Sequence, residues 1–415
     1  VVSFHPCQCD VEPSPVAYDV AGRFSFAEGV SMLILIHYGE LALKGRNRRL
    51  YELKLKENIE RALGTRVKIL EGRIIARGGK PDVLALLPGI EWFAEAEAVS
   101  KDIDSICSAV LELIRPKVVG RRPSFGVFVK RADKSFPQTS IEVARRVGSV
   151  VQSEYGLPVN LSAPELPIYI EIARQCYIHL ERRRGTGGLP VGVTGDVLCL
   201  LSGGIDSAVA SYLMMRRGCR VDFLHFHTFP ENDGVLGTKV SSVVEILDRY
   251  QYDSRLFLVP YYPFEIAVSS MPRLQGYELV LFRRFMARVA EKIARRYAYK
   301  AIVTGDCLAQ VASQTLENLS CFSDACTLLV LQPLISFGKS EIIDIAKRIG
   351  TYEKSIEPYK DCCSIVMRGA RTRASVEMAK LFEEELGMEG VVEAALGAVS
   401  MFDMEGIKGA HAQKI

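Results

Sequence analysis

The chain has 415 residues, 48% of them hydrophobic and 24% charged, with 33 glycines and 18 prolines, a globular composition that excludes a collagenous, low-complexity or largely disordered chain. At roughly 150 residues per domain, that length predicts two or three domains. The net charge of +3 is too small to announce a polyanionic partner, so that case rests on local clusters. The apolar runs at 32–36, 197–201 and 327–331 fall far short of the ~18 residues that cross a bilayer. The first residues lack the basic and apolar regions of a secretory signal, so the expected location is the cytoplasm and no membrane partner is expected. Eleven scattered cysteines read as reduced thiols, not a disulfide framework. The close pairs are Cys7/Cys9, Cys321/Cys326 and Cys362/Cys363; none has the CxxC spacing of a zinc site, and no metal ligand set is expected.

In chain order, residues 1–31 carry Pro6, Pro13 and Pro15 without a sustained period and read as a flexible extension. Met32 is a candidate start codon. A strand from Met32 is followed by an amphipathic helix over 44–63, with leucines at Leu50, Leu53 and Leu63, and a hairpin over 67–78. The pattern then predicts helices over 81–87, 103–114 and 140–155, and strands over 93–99, 124–129, 159–161, 167–172 and 176–180. The glycine-rich stretch GTGGLPVGVTG, 185–195, reads as a linker. Beyond it, apolar strands alternate with helices, which indicates a parallel sheet covered on both faces.

The sharpest feature is Ser202-Gly203-Gly204-Ile205-Asp206-Ser207, between the strand at 197–201 and a helix closed by Gly218. Glycines let the backbone approach a ligand, N–H groups at a helix start face negative oxygens, and serine hydroxyls add donors. The GxxxxGK[ST] spacing of a Walker A loop is absent. SGGIDS resembles the PP-loop of ATP pyrophosphatases, which clasps the pyrophosphate of ATP and exposes its α-phosphorus.

The wider chain resembles the tRNA 4-thiouridine synthetase, or tRNA sulfurtransferase, family. The likeness runs from Met32 to about Met367 and rests on HYGELALKGRNRR, KRADKSFPQTSIEVARRVG, GGLPVG, VTGDCLAQVASQTLENL, PLISFGKSEIIDIAKRIGTYEKSI and EPYKDCC. It implies an α+β ferredoxin-like domain over 32–80, an α/β THUMP RNA-binding domain over 81–186, and over 187–415 a PP-loop catalytic domain built on a doubly wound parallel sheet. It also implies ATP-dependent sulfur transfer to uridine at position 8 of tRNA through an adenylated base, with pyrophosphate and AMP released. Sulfur transfer for thiamine thiazole formation is a second associated activity.

Carried over residue by residue, the likeness places the adenylate site at Leu200, Leu201, Ser202, Gly203, Gly204, Ser207, His225, Phe226, Arg283, Gly305 and Gln314. Phe226 is a candidate to stack on adenine. His225 reads equally as a core imidazole, and Arg283 with Arg284 equally as a solvated helix face. Asp206 would hold Mg²⁺ or orient the loop, and Lys339 would neutralise the departing pyrophosphate. A sulfur-carrying thiolate is needed; Cys363 is the first candidate and Cys362 the second, with Cys307 a weaker rival or resolving partner. Cys199 reads as core.

Two departures bear on the sulfur. Only 52 residues follow Cys363, too few for the rhodanese domain of some bacterial members, so the donor, a cysteine desulfurase or sulfide, stays open. The stretch 277–286 reads YELVLFRRFM where some archaeal members have CxxC, which disfavours an iron–sulfur cluster. For tRNA contact the candidates are Lys44, Arg46, Arg48 and Arg49, then Lys130, Arg131 and Lys134, then Arg182 to Arg184, reading backbone and shape. A homodimer is a candidate assembly. The competing readings are a non-catalytic THUMP tRNA-binding protein and another PP-loop adenylating ligase.

Overall fold

The structure is a computed structural model that describes residues 32–413 except 71, 272–273, 275 and 363–369. The expected extension over 1–31 and Cys363 lie outside the described residues. Two sheets organise the chain. The first takes β1 (Met32–His37), β2 (Val67–Leu70), β3 (Arg73–Ala76), β4 (Trp92–Val99), β5 (Phe125–Arg131), β6 (Leu166–Ile172), β7 (Cys176–His179) and β8 (Arg183–Arg184), in the order β2-β3-β1-β4-β7-β6-β5 with β8 on β4. Helices α1 (Arg48–Leu63), α2 (Ile103–Val118) and α3 (Ser140–Tyr155) pack on it. This sheet runs unbroken across residue 80, because β1 pairs with β4 over the six residues Met32 to His37.

Helix α1 buries Leu55, Ile59 and Leu63, spaced by four residues, together with Glu52. The expected leucine face is only partly right: Leu50 and Leu53 are exposed at 62% and 45%. The 81–87 helix shrinks to the short turn Pro81–Ala85. The strand at 159–161 is reduced to one bridge, Phe125 to Val159, because the Asn160 side chain accepts from the N–H groups of Ser162 and Ala163 at 3.1 Å and turns the chain, a competition with the sheet ladder open to short amides.

The second sheet holds β9 (Gly195–Leu200), β10 (Cys219–His227), β11 (Leu256–Pro260), β12 (Ala301–Val303), β13 (Leu329–Leu331) and β14 (Ser400–Phe402), in the order β13-β12-β9-β10-β11-β14. All pairs are parallel except β11 with β14. One face packs on α4 (Ile205–Arg216), α5 (Lys239–Asp248) and α9 (Lys339–Ile349). The other packs on α6 (Tyr262–Ser269), α7 (Glu278–Arg296) and α8 (Leu316–Asp324). After α10 (Tyr352–Ser355), the chain forms α11 (Val376–Leu386), α12 (Met388–Gly397) and α13 (Met404–Gln413) around β14. The chain leaves β9 towards β10 and β11, then returns to β12 on its other side, so the carboxyl ends of β9 and β12 form a topological switch point, where open α/β sheets bind ligands.

Helix α7 is locked in place by charge. Arg284 is fully buried and bonds Glu383 of α11 at 2.7 Å and Asp324 of α8 at 3.0 Å, and Arg288 reaches the same Glu383 at 2.8 and 2.7 Å. Arg284 is therefore no solvated helix face. No described helix is long and apolar enough to cross a membrane.

Four of the six histidines, His37, His179, His225 and His227, titrate below the ordinary imidazole value, burial being the first cause in each. His179 and His225 are pushed down to about 4. Between pH 6.5 and 4 the unfolded chain binds protons that the fold refuses, so each imidazole weakens the fold by about 1.4 kcal/mol per pH unit across that window as acid is added. Urea unfolding at pH 7.5, 6 and 5 is expected to show this loss, and His179→Gln should make the slope shallower. A stability unchanged down to pH 5 would contradict it.

Candidate nucleotide site

Strand β9 ends in the buried run Val197 to Leu200. The backbone then turns at Gly203, whose φ of +76° is the left-handed conformation that side chains disfavour. Helix α4 begins at Ile205 with Gly204 as its N-cap and no side-chain cap, so its first N–H groups are open to an anion. The loop is braced by its own serines. Ser202 N donates to Ser207 Oγ at 3.2 Å, Ser207 Oγ donates to Gly204 O at 3.2 Å, and the two hydroxyls lie 3.1 Å apart. Across the switch point, a Cβ on Gly305 would stand 2.7 Å from Ser207 N, so only glycine lets the end of β12 meet the start of α4.

Beside Gly305, Asp306 is buried at 4% exposure. It accepts from Arg283 Nη1 and Nη2 at 2.9 and 2.8 Å, from Thr304 Oγ1 at 2.7 Å and from Gln314 Nε2 at 3.3 Å. Burial works to raise this carboxyl, but the Arg283 charge and the hydrogen bonds outweigh it and hold it below the ordinary carboxylate range. Arg283 also lies 4.9 Å from the centre of the Phe322 ring, so it too is a wall residue and not a solvated face.

These groups enclose a cavity of about 270 Å³. Of the residues expected from sequence, Leu200, Leu201, Ser202, Asp206 and Ser207 line it from the loop side, and His225, Phe226, Arg283, Gly305 and Gln314 from the other strand ends and α7. Gly203 and Gly204 shape the loop without lining the cavity. Lys339, the first residue of α9, reaches the rim through Asp206, its Nζ 2.6 Å from Oδ1, while Gln310 Nε2 donates to Oδ2 at 3.0 Å. The Phe226 ring packs edge-on against Phe282 and Phe285 at 6.1 and 5.8 Å, so Phe226 and Phe282 share the apolar wall.

Cys362 lines the cavity and is buried at 3% exposure. Cys307 does not line it: its thiol contacts the carbonyls of Leu334 and Phe337 at 3.2 and 3.5 Å, and burial pushes that thiol up. Cys199 is fully buried in the core. Among the described residues no three His, Cys, Asp or Glu side chains gather as a metal site. Sequence reasoning passed over Asp306, Thr304, Phe282 and Asp361. The signal for Asp306 was its place in VTGD, at the same strand-to-turn junction as Gly305.

The basic clusters divide into exposed and structural charges. Arg46, Arg49, Lys130 and Lys134 are exposed and Lys44 half-buried. Arg48 instead bonds Glu52 at 2.7 Å and Tyr38 at 3.0 Å, and Arg131 holds the following loop through the carbonyls of Phe136 and Gln138, both at 3.0 Å. Arg182 sits 4.4 and 4.1 Å from the Trp92 and Tyr169 ring centres, and Arg183 pairs with Asp82.

Known proteins agree with this layout. Family models match the ThiI ferredoxin-like domain over residues 33–87, the THUMP domain over 100–181 and the thiamine biosynthesis protein (ThiI) over 192–388. A probable tRNA sulfurtransferase of Thermus thermophilus is 38% identical over 378 residues, 88% of this chain and 92% of the relative. Another, of Nocardia farcinica, is 38% identical over 394 residues, 91% and 95% of the two chains. The crystal structure of a 4-thiouridine synthetase–RNA complex with bound ATP superimposes with a TM-score of 0.82 at 31% identity, covering 90% of this chain and 99% of that one. A Pyrococcus horikoshii protein, PH1313, superimposes with a TM-score of 0.61 at 28% identity over 77% of this chain and 99% of its own. Likeness of this extent, through both sheets and end to end in the relatives, makes the chain a member of the tRNA sulfurtransferase family.

Proposed function

We propose that this chain is an ATP-dependent tRNA sulfurtransferase that converts a tRNA uridine to 4-thiouridine. The observation that carries the reading is the open, uncapped start of α4 behind SGGIDS, at the switch point and on the wall of the cavity. Anionic phosphates complete the N–H groups there. The apolar wall of Phe226, Phe282, Leu279 and Met286 suits the adenine.

In this reading uridine O4 attacks the α-phosphorus and pyrophosphate leaves. A sulfur nucleophile then adds at C4, and AMP departs carrying the oxygen that was O4. Lys339 answers the charge of the leaving pyrophosphate. Asp206 is the carboxylate that would hold a magnesium ion, which when bound would supply charge neutralisation on the phosphates. Both of its oxygens are engaged, Oδ1 by Lys339 Nζ and Oδ2 by Gln310 Nε2. Cys362, on the cavity wall, is the described thiol best placed to carry sulfur; Cys307 does not line the cavity and its thiol is turned to the carbonyls of Leu334 and Phe337, which argues against its acting as a resolving partner. Cytoplasmic tRNA is the substrate in this reading, and sulfur transfer towards a thiamine thiazole is a second use of the same chemistry.

The chain with ATP, Mg²⁺ and tRNA, but no sulfur donor, is expected to release pyrophosphate, because adenylation comes first. Asp206→Ala should lower that release by roughly 10²-fold or more. Release at the normal rate would remove Asp206 from the mechanism.

For RNA, the exposed charges are the informative ones, since Arg131 braces a loop. Replacing Arg46, Arg49, Lys130 and Lys134 together by Ala should weaken tRNA binding and flatten its salt dependence by about 0.7 to 0.9 for each phosphate that the protein no longer neutralises, leaving the KM for ATP unchanged. An identical salt slope would mean these charges are only solvated.

A further inference from the structure

Tyr359 lies three residues before Cys362, between α10 and α11, and does not line the cavity. Its hydroxyl stands 2.8 Å from His225 Nε2, and His225 Nδ1 stands 2.7 Å from the carbonyl oxygen of Leu201. A carbonyl has no proton to give, so Nδ1 carries the imidazole proton and Nε2 presents a lone pair. Burial pushes His225 down to about 4, so at neutral pH the ring holds that single proton and Tyr359 must donate. Burial likewise pushes the Tyr359 hydroxyl up, with Cys362 and Asp361 acting in the same direction, which keeps the donor protonated.

Both imidazole nitrogens are thus committed within the protein. His225, which also lines the cavity, links the base of the SGGIDS loop to the segment that carries Cys362. The segment is held elsewhere too. The Tyr359 ring lies 6.1 Å from that of Phe229, just beyond β10, and 5.8 Å from Lys239 Nζ at the start of α5, and Lys239 donates to Ser355 O at 2.8 Å. Past these anchors, Asp361 and Cys362 form part of the cavity wall.

We propose that Tyr359 is a positioning residue for the sulfur-transfer half of the reaction, its hydrogen bond to His225 holding Cys362 against the nucleotide cavity. This rests on the function proposed above. The link ties the thiol-bearing segment to strand ends that the sheet fixes, and a displacement of about 1 Å from the reacting geometry costs on the order of 10²-fold in rate. Ser202, Ser207, Asp206, Arg283 and Asp306 are held by bonds of their own that involve neither Tyr359 nor His225.

Tyr359→Phe keeps the ring and removes only the donor. Its thermal unfolding, its pyrophosphate release and its single-turnover formation of 4-thiouridine, with a small-molecule persulfide to load Cys362 and a dithiol to reduce the disulfide left after transfer, are compared with those of the unaltered chain. The expected pattern is selective: kcat for pyrophosphate release and the KM values for ATP and tRNA within about 2-fold, and sulfur transfer slower by about 10-fold or more. Tyr359→Leu, which loses ring and donor, should slow sulfur transfer further. Sulfur transfer at the unaltered rate in Tyr359→Phe, or both half-reactions falling together, overturns the positioning role. An unaltered chain that releases no pyrophosphate with tRNA overturns the function itself, a result distinct from either.

Discussion

Two hydrogen bonds between Arg283 and Asp306 decide the shape of the site. They join α7 to the turn that follows β12, and they keep a carboxylate ionised where burial alone would neutralise it. Thr304 and Gln314 satisfy the same carboxylate, so the wall is built from a fully partnered network and not from a lone charge. Such a network is costly to break, because removing one partner strands a buried ion, at roughly 3 to 5 kcal/mol. Its neighbour Arg284, tied to Glu383 and Asp324, fixes the helix from which Arg283 projects. The C-terminal helices therefore bear on the site without touching it.

Helix α4 connects this site to the rest of the molecule. Its N-terminal end faces the cavity. At its C-terminal end Arg216 O accepts from Leu189 N of the linker at 2.9 Å, and Arg217 pairs with Glu40 of the N-terminal half at 3.0 Å. Asn58 of α1 adds a bond to Val191 O at 3.1 Å. Twelve residues of helix, about 18 Å long, thus separate the phosphate end of the cavity from the docking point of the half that carries the exposed basic residues. In the proposed function, a tRNA gripped by that half would be presented to the second sheet across a fixed distance.

Much of this was legible in the sequence because local patterns carry it: the strand–SGGIDS–helix unit, the alternation beyond the linker and the helix over 140–155 all depend on neighbours. The rest depends on partners far apart. Arg283 and Asp306 are 23 residues apart, and Arg284 and Glu383 are 99 apart, so two adjacent arginines in a helix gave no sign that both are held by carboxylates distant in sequence. Arg131 read as a phosphate-seeking charge because sequence does not reveal that its guanidinium is held by two carbonyls. Leu50 and Leu53 read as core because three leucines fit a helical stripe, whereas the stripe that meets the sheet is Leu55, Ile59 and Leu63. That one sheet continues across residue 80 was hidden for the same reason: pairing of β1 with β4 is long-range.

The central claim is that a uridine oxygen is adenylated in this cavity before sulfur replaces it. An isotope label tests it most directly. A tRNA carrying ¹⁸O at the O4 position of the target uridine is incubated with the chain, ATP, Mg²⁺ and sulfide, and the AMP is examined by mass spectrometry. Attack of O4 on the α-phosphorus requires that each 4-thiouridine formed be matched by one AMP containing ¹⁸O. Unlabelled AMP accompanying 4-thiouridine would contradict the account, since the oxygen would then have left the base by another route.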